Sequence, residues 1–517
     1  MTDENSGAVP DDQIDWEAID WRQVEKEVQR LQARIVKATE AGRHNKAKVL
    51  QGLLTRSRAG KLLAIKRVTE NEGSKTPGVD KATWQQNRSK EMAVTLLTPR
   101  GYKPQPLRRI LIPKSNGKMR PLGIPTMRDR AMQALHLLAL DPIAETLADP
   151  NSYGFRVGRS CADAIDQCFK LLSGARDRWI FEADIKGCFD HISHEWLLEY
   201  IPMDRSILLK WLKCGYLDRN VFRPTDEGTP QGGIISPALA NMTLDGLEKL
   251  LEKHFPRSGP GCSRTRNLCV QLVRYADDFV ITATSKEVLE AQVRPLVEQF
   301  LQERGLELSP EKTKITHLSE GFDFLGQNVR SYKSKTIIQP SRKNVANFLT
   351  KIRTLIKANA QMPAGDLIQL LNPKIRGWAN YHQHVCSKRT FGRVDHQIFH
   401  CLMQWARRRH KHDGKGMRWI VRKYFGTCGN QHWRFFGDSL NRKAETVRYW
   451  LAEAAHTPIK RHIKVVAGAN PYSTNWTQYF AQRRRRAKKQ GSQVESRFDT
   501  QLASTFGLRP PRPMWGV

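Results

Sequence analysis

Two adjacent acidic residues between apolar strands are the feature that most constrains how this chain folds. Asp277 and Asp278 stand in the segment "LVRYADDFVIT" (272–282), between short runs rich in Val, Ile, Tyr and Phe. Neighbouring carboxylates repel each other, and their burial beside apolar strands is costly unless a cation pairs with them. A hairpin with its turn at Tyr275–Asp278 places both carboxylates at its tip. An ordinary surface turn is the alternative, because adjacent Asp residues are common in turns.

A third carboxylate, Asp184, stands near the end of another strand-like segment, "FEADIKGCFD" (181–190). If residues 179–185 form a strand, Asp184 shares a face with Ile180 and Glu182. Three carboxylates on neighbouring strand ends form a site for two Mg²⁺ ions, which are hard cations that prefer oxygen ligands. Two such ions can activate an attacking 3′-hydroxyl and stabilise a departing pyrophosphate. The three acids therefore predict a two-metal site.

The charge of the chain indicates a polyanionic partner. Its 517 residues include 85 Lys and Arg against 51 Asp and Glu, which gives a formal net charge of +34. Lys and Arg neutralise phosphates and release counterions, so nucleic acid explains this charge better than a solubilising surface does. No apolar run approaches the ~18 residues that span a membrane. The nine cysteines contain no C-x-x-C pair, which favours a reducing cytosol over a disulfide framework or a zinc site.

Several motifs around these acids resemble the reverse transcriptases. "YADD", preceded by "ADIKGCFD", resembles the palm of these polymerases, and five further blocks follow the order of the family. These blocks are "LIPKSNGKMRPLGIPTMRDRAMQ" (111–133), "YGFRVGRS" (153–160), "GTPQGGIISPALANMTLDGLE" (228–248), "GLELSPEKTKIT" (305–316) and "FDFLGQNV" (322–329). With the early "TPGVD" and the later "LNPKIRGWANYH", the chain resembles the reverse transcriptase/maturase encoded in group II introns, over roughly residues 15–480.

The resemblance implies an α+β fold: a right-hand polymerase, with the fingers and palm of a reverse transcriptase, followed by an all-α thumb/maturase domain. It also implies four segments along the chain. They are an N-terminal helical extension (1–85), the fingers and palm (86–335), the thumb and maturase domain, or domain X (336–470), and a basic tail that is a possible DNA-binding remnant (471–517). Many members continue into an HNH endonuclease, whereas only 37 residues, without Cys or His, follow residue 480 here. We therefore expect the endonuclease to be absent.

The matched motifs assign catalytic and nucleotide-binding roles. Asp184, Asp277 and Asp278 are implied to be the magnesium ligands, with the carbonyl of Ile185 as a further possible ligand. The nucleotide-binding candidates are Lys114, Arg120, Phe189, Gln231 and Lys312. Lys114 and Arg120 match residues that hold the incoming triphosphate, and ordinary exposed cations are the alternative for both. The Phe189 ring is expected to exclude a ribose 2′-hydroxyl and so select deoxynucleotides, and a buried core residue is the alternative. Gln231 is expected to line the pocket. Lys312 is either a triphosphate contact or proton donor, or a plain surface lysine.

The matched maturase motifs also suggest RNA contacts. The candidates are Arg376, Trp378, Tyr381 and His382, followed by the cations Arg407, Arg408, Arg409 and Lys411. Cations seek phosphates, and aromatic rings stack on unpaired bases. The rings fit the core of a helical bundle equally well. The four cations are better candidates, because four charges within five positions cannot all be buried.

The function that follows from the resemblance has two parts. We expect an RNA-directed DNA polymerase that uses Mg²⁺ and dNTPs to copy group II intron RNA, and a maturase that binds this RNA to assist splicing and mobility. The expected partners are group II intron RNA, an RNA template with its primer, and target DNA, in a bacterial cytosol or nucleoid. Two alternatives are a splicing cofactor that needs no polymerase activity and a reverse transcriptase recruited to another role, such as phage defence.

Overall fold

The computed structural model forms two compact units. It describes residues 15–113, 117, 119–174, 177–219, 221–229, 232–256, 268–333, 335–429, 431–441 and 443–489. The first unit contains the described residues up to Ser160, the segment Phe181–Lys314 and the described residues from Val465. The second unit contains Cys161–Ile180 and Ile315–Lys464. Among the described helices, none is both long and apolar enough to cross a membrane.

The first unit begins with a group of packed helices. Val24, Val28 and Ile35 are buried on one face of the helix Trp21–Glu40, as the helical spacing of these apolar residues predicts. The side chain of Asp20 caps this helix by accepting hydrogen bonds from its first backbone N–H groups. The remaining α-helices of this unit are His44–Arg56, Arg58–Thr69, Asn87–Leu96, Met127–Leu147, Cys188–His191, His194–Tyr200, Arg205–Leu212, Ser236–Leu244, Leu247–His254, Lys286–Val288, Arg294–Gln302 and Thr477–Lys489. A π-helical turn spans Leu289–Val293.

Two sheets complete the first unit. One has the strand order Met119–Ile124, Leu107–Pro113, Tyr216–Asp218, Val221–Arg223, and its two longer strands form an antiparallel hairpin. The other places the hairpin strands Gln271–Tyr275 and Asp278–Ala283 next to the strand Trp179–Asp184, whose portion from Phe181 belongs to this unit. The α+β architecture that the sequence predicts is confirmed. The second sheet carries Asp184 and Asp278 at strand ends and Asp277 in the turn between the two hairpin strands.

The second unit is mainly helical. Its longer helices are Cys161–Leu172, Arg342–Ala358, Ala364–His382, Lys388–Arg409 and Met417–Tyr424. Phe348 and Ile352 are buried in one apolar cluster, and Val345 and Leu355 pack against it, as the helical period in this stretch predicts. Three of its strands, Phe322–Phe324, Gln327–Tyr332 and Lys335–Pro340, form one antiparallel sheet. The strand Lys314–His317 spans the boundary between the units along the chain.

The expectation of an all-α maturase domain is wrong in one respect. Residues Phe425–Cys428, Gln431–Leu440 and Thr446–Trp450 form a three-stranded antiparallel sheet. Alternating aromatic and basic residues in this stretch fit a half-buried strand as well as a helix face, because one face of each strand packs inward. The sheet packs on the helix Ala364–His382 at two glycines. A Cβ on Gly365 would lie 2.5 Å from the Asp438 carbonyl oxygen, and a Cβ on Gly437 would lie 2.4 Å from the Gly365 nitrogen.

This glycine contact gives a stability test within a single helix. Gly365→Ala forces a methyl group into the backbone of the neighbouring strand, so we expect it to lower the free energy of unfolding by ~1–3 kcal/mol. Gly377 lies in the same helix with no atom within 4 Å of an added Cβ. Gly377→Ala is therefore expected to raise stability by ~0.5–1 kcal/mol, through helix propensity alone. Thermal melting of the two variants measures the contrast, and equal midpoints would contradict the close approach.

Candidate functional site

The acidic segment forms the tip of a β-hairpin, as predicted. Tyr275 pairs directly with Asp278, so Ala276 and Asp277 are the two turn residues. Ala276 has a φ of +57°, which is the left-handed conformation that tight two-residue hairpin turns use. This conformation is unfavourable for a residue with a Cβ, and such strain persists only where the surroundings fix the backbone. The surroundings of this turn do fix it.

A neighbouring segment holds the hairpin on one side. The Tyr153 N–H donates to the Arg274 carbonyl at 2.9 Å, and the Arg274 N–H donates to the Asn151 carbonyl at 3.0 Å. Gly154 follows, and a Cβ there would lie only 2.3 Å from the Ala276 nitrogen. The glycine of the "YGFRVGRS" block is thus required because the turn backbone approaches it too closely for any side chain.

A buried arginine, Arg274, stabilises the hairpin through an ion pair and hydrogen bonds. Arg274 is fully buried and forms an ion pair with Asp245. Its Nη1 also donates to Asn241 Oδ1 at 3.2 Å and to the Ala276 carbonyl at 3.4 Å, so its guanidinium contacts the strained turn residue itself. Burial raises the pKa of Asp245 to about 6, although the charge of Arg274 opposes this rise. Sequence reasoning missed this role of Arg274. A cation between apolar residues of a buried strand was the available signal.

Asp184 lies at the end of its strand, where the "GLELSPEKTKIT" segment meets it. The Ser309 N–H donates to the Asp184 carbonyl at 2.8 Å, and the Lys186 N–H donates to the Glu307 carbonyl at 3.0 Å. The ammonium group of Lys312 forms an ion pair with the Asp184 carboxylate. This hydrogen bond raises the pKa of Lys312, so the ammonium stays charged. Lys312 is therefore part of the acidic site rather than an unrelated surface lysine.

The electrostatics of the three acids show that they share one site. Desolvation raises the pKa of Asp277, the charge of Asp184 raises it further, and Arg120 and Lys312 lower it. The pKa of Asp278 is raised to about 7 by partial desolvation and then by the charges of Asp277 and Asp184. Each carboxylate thus makes ionisation of the next less favourable. A cation bound at such a site would relieve the repulsion between the carboxylates and favour their charged forms.

The donor set suits a hard metal ion, although the side chains are not arranged around one. Carboxylate oxygens and a backbone carbonyl are the ligands that Mg²⁺ prefers. Within the described residues, no group of three or more His, Cys, Asp or Glu side chains stands in a geometry that could hold a metal ion. One of the three acids, Asp184, is instead paired with the ammonium of Lys312.

Of the other predicted nucleotide-binding residues, the described ones lie near this site. Arg120 lies on the strand Met119–Ile124 and acts electrostatically on Asp277. Phe189 is 9% exposed in the short helix Cys188–His191, and its carbonyl accepts a hydrogen bond from the Thr229 N–H at 2.6 Å. Thr229 of the "GTPQGG" motif therefore lies beside Phe189. Lys114 and Gln231 lie outside the described residues.

The predicted RNA-binding rings lie within the fold of the second unit. Trp378 stacks on Phe348 with ring centroids 4.6 Å apart, and its Nε1 donates to Asn344 Oδ1 at 2.9 Å. The Tyr381 hydroxyl donates to the Leu325 carbonyl at 2.7 Å. Both rings are half-buried, which supports the structural alternative for them.

His382 requires a correction. It is fully buried, and its two ring nitrogens lie 3.1 Å from Gln327 Oε1 and 3.0 Å from Asn344 Oδ1. Burial lowers its pKa to about 3, so the ring is neutral. The prediction that His382 contacts RNA is therefore wrong, because its ring is buried away from solvent and instead connects elements of the core.

The predicted cations differ from one another in exposure. Arg376, Arg407, Arg408 and Lys411 are exposed. Arg409 is half-buried, and its Nη1 donates to the carbonyls of Ala360 at 3.2 Å and Met362 at 2.9 Å. Arg409 thus caps a neighbouring chain segment, and the four exposed cations remain candidates for phosphate contacts.

Comparisons with known proteins agree with this arrangement. Residues 112–329 match the family model "Reverse transcriptase (RNA-dependent DNA polymerase)". Residues 16–97 match "N-terminal domain of reverse transcriptase", and residues 345–425 match "Group II intron, maturase-specific domain". Protein YkfC of Escherichia coli is 34% identical over 346 residues, which cover 58% of this chain and 90% of that protein. Group II intron-encoded protein LtrA of Lactococcus lactis is 33% identical over 408 residues, covering 62% of this chain and 68% of LtrA.

Among solved structures, the chain is similar to telomerase from Candida albicans in complex with a fragment of telomeric RNA. The TM-score is 0.34 at 13% identity, covering 60% of this chain and 63% of the telomerase. At that score the likeness says nothing about activity. The matched polymerase and maturase segments and the intron-encoded relative are more informative. The chain belongs to the group II intron-encoded reverse transcriptases, and it is an RNA-directed DNA polymerase that carries the maturase domain of that family.

Proposed function

We propose that Asp184, Asp277 and Asp278, with the carbonyl of Ile185, hold two Mg²⁺ ions at which this enzyme joins a dNTP to a primer. The observation that carries the proposal is geometric: the hairpin tip with Asp277 and Asp278 belongs to the strand that lies next to the strand ending in Asp184. Desolvation raises the pKa of Asp277 and of Asp278, and the charge of Asp184 raises both further. The ions supply a lowered pKa for the attacking 3′-hydroxyl and charge stabilisation for the departing pyrophosphate. Without bound cations the neighbouring carboxylates repel one another, so cation binding is expected to stabilise this part of the fold.

The chain's own residues bind and orient the nucleotide. Arg120 and Lys114 bind triphosphate oxygens, for which a planar fork and a point charge are suited. Phe189 blocks the space beside the sugar C2′, and Gln231 lines the same pocket. The ion pair of Lys312 with Asp184 is exchangeable, since both groups are accessible from the site. With cations bound at Asp184, the Lys312 Nζ would be free to bind the triphosphate and would be able to donate a proton to the departing pyrophosphate.

The maturase function uses a different surface. We propose that the exposed cations Arg376, Arg407, Arg408 and Lys411 bind phosphates of group II intron RNA. The helix Thr477–Lys489 carries the "RRRRAKK" run, and we propose that it binds target DNA during mobility. These contacts need positive charge but no metal, because in splicing the intron RNA performs the chemistry. We propose the same four segments along the chain as the sequence implies, with boundaries after residues 85, 335 and 470.

Polymerisation and splicing assistance are therefore separable. Asp277→Ala combined with Asp278→Ala is expected to abolish cDNA synthesis, because loss of the metal ligands removes stabilisation of both the attacking and the leaving oxygen. Splicing of intron RNA at low magnesium is expected to continue, since the loss of two acids leaves the cationic surface intact. Primer extension and intron splicing are measured side by side on each protein.

The matched control is Glu195→Ala combined with Glu199→Ala, which removes two exposed carboxylates from one helix of the same unit. It makes the same change in net charge without touching the site, so both activities are expected to stay at the level of the unmodified protein. If the Asp variant loses splicing as completely as extension, the two functions share a site and the division is mistaken.

The magnesium requirement is expected to depend on pH. The carboxylate of Asp278 must be deprotonated to bind a cation, and its pKa is raised to about 7, so protons compete with metal as the pH falls below 7. The concentration of Mg²⁺ that gives half-maximal extension should be about tenfold higher at pH 6 than at pH 8, as expected for one displaced proton. Primer–template affinity measured at both pH values controls for effects on nucleic-acid binding. An unchanged Mg²⁺ requirement would show that Asp278 does not titrate at the metal site.

The sugar selectivity is expected to depend on Phe189. Phe189→Val opens space beside C2′, so we expect incorporation of ribonucleotides to rise well above background while dNTPs are still used. The ratio of rNTP to dNTP incorporation on one primer–template measures the effect and corrects for any loss of folded enzyme. Normal dNTP use with background rNTP use would remove Phe189 from this role.

A further inference from the structure

Trp433 is an unusually exposed tryptophan in the sheet of the second unit. It lies in the strand Gln431–Leu440 and is 57% exposed, whereas large aromatic side chains are normally buried. Neither the sequence motifs nor the matched maturase segment, which ends at residue 425, includes it. The local backbone conformation accounts for its exposure.

A β-bulge turns Trp433 outward. Gly426 pairs with Arg434 and Cys428 pairs with Gln431, so Thr427 alone faces both His432 and Trp433. This arrangement of two residues against one is a β-bulge, a device that redirects a side chain. Trp433 has a φ of +66°, a conformation that is rare for bulky residues and frequent at functional sites.

The neighbours of the bulge hold it in place. Phe435 is 2% exposed, and its ring lies 5.4 Å from the ring of Phe425, measured between centroids. Arg434 Nε donates to the Leu451 carbonyl at 2.9 Å. On the other side, His432 Nδ1 lies 3.1 Å from the Thr427 hydroxyl. The residues on both sides of Trp433 are thus anchored, which presents a preordered ring to solvent.

The chain segment that leads to Trp433 is strongly cationic. Between Arg407 and Arg434 the sequence contains nine Lys and Arg residues and a single Asp. The helix Met417–Tyr424, which leads directly into the bulged hairpin, exposes Arg418, Arg422 and Lys423. A protein partner that covers a tryptophan normally meets an apolar, charge-depleted surface. A polyanion with exposed aromatic bases complements both the charge and the ring.

We propose that Trp433 stacks on an unpaired base of a single-stranded RNA segment whose phosphates are bound by Arg418, Arg422 and Lys423. The inference rests on the proposed RNA-binding function of this unit and names one contact within it. A base in a continuous duplex has both faces covered by its neighbours, so the ring selects loops and single strands. Stacking on an aromatic ring tolerates any base, because every base has a π-face. Trp433 therefore contributes affinity for unpaired RNA rather than sequence specificity.

The test uses a stem-loop RNA with a single-stranded uridine loop and a blunt duplex of the same stem, bound to the full chain and followed by fluorescence anisotropy. Trp433→Ala is expected to weaken binding of the stem-loop by about 5- to 150-fold, the range for loss of one stacked base. Binding of the duplex should not change. Trp433→Phe should restore most of the affinity, whereas Trp433→Leu should not, because leucine is apolar but has no ring.

Two controls separate stacking from charge and from folding. Leu440→Ala removes a side chain that is 60% exposed on the same strand, and it should leave both affinities unchanged. Arg422→Ala should flatten the salt dependence by about one phosphate contact, whereas Trp433→Ala should lower the affinity at every salt concentration with an unchanged slope. A loop that carries 5-iodouridine should crosslink to Trp433 on irradiation of the unmodified protein, a readout that does not depend on any variant folding.

Each outcome decides the inference. It is overturned if Trp433→Ala binds the stem-loop as the unmodified protein does, if the loss is equal on the duplex, if leucine restores binding as well as phenylalanine, or if only single-stranded DNA depends on Trp433. The proposed function fails separately, and visibly, if the unmodified protein binds neither RNA nor extends a primer. If the unmodified protein binds RNA and extends a primer, but Trp433→Ala binds the stem-loop equally well, only the stacking contact is contradicted.

Discussion

The buried ion pair of Arg274 and Asp245 is the interaction on which the geometry of the acidic hairpin depends. Arg274 lies three residues before Asp277, and its guanidinium reaches the carbonyl of Ala276, the strained residue of the turn. Removing one partner of such a pair leaves an uncompensated buried charge, which typically costs ~3–5 kcal/mol. The acids at the tip are therefore oriented by a buried cation on the first strand of the hairpin.

A second buried network fixes the segment that supports the hairpin. Arg156 donates from Nε and Nη2 to Glu145 at 2.8 and 2.7 Å, and from Nη1 to the carbonyls of Asp149 and Ser152. Arg159 shares Glu145 and also donates to the Ala467 carbonyl at 3.1 Å. These buried arginines bind carboxylates and carbonyls of the protein, whereas the exposed cations are accessible to phosphates. In a chain with a net charge of +34, the same residue type thus builds the site and attracts its substrate.

The sequence predicts some of these features better than others, for physical reasons. The hairpin at Asp277 follows from the two short apolar runs on either side of two acids, and the buried face of Phe348 and Ile352 follows from helical spacing. The burial of His382 does not follow, since a histidine bonded to two core residues and one facing RNA look alike in sequence. Trp433 was missed because a bulge depends on how two strands pair, which no local pattern records. Long-range pairing is the information that the sequence patterns lack.

The ion pair of Lys312 with Asp184 explains how three acids coexist before any nucleotide arrives. Three neighbouring carboxylates repel one another, and this repulsion adds to desolvation in raising the pKa of Asp277 and of Asp278. Lys312 offsets it with one positive charge from a flexible, exposed side chain, so the pairing is weak enough to exchange. A divalent cation carries twice the charge and binds several oxygens at once, so under the proposed function it would compete with the ammonium for Asp184. Two kinds of cation therefore stabilise the acidic hairpin: the buried Arg274 fixes its backbone, and the exposed Lys312 offsets the charge of its acids.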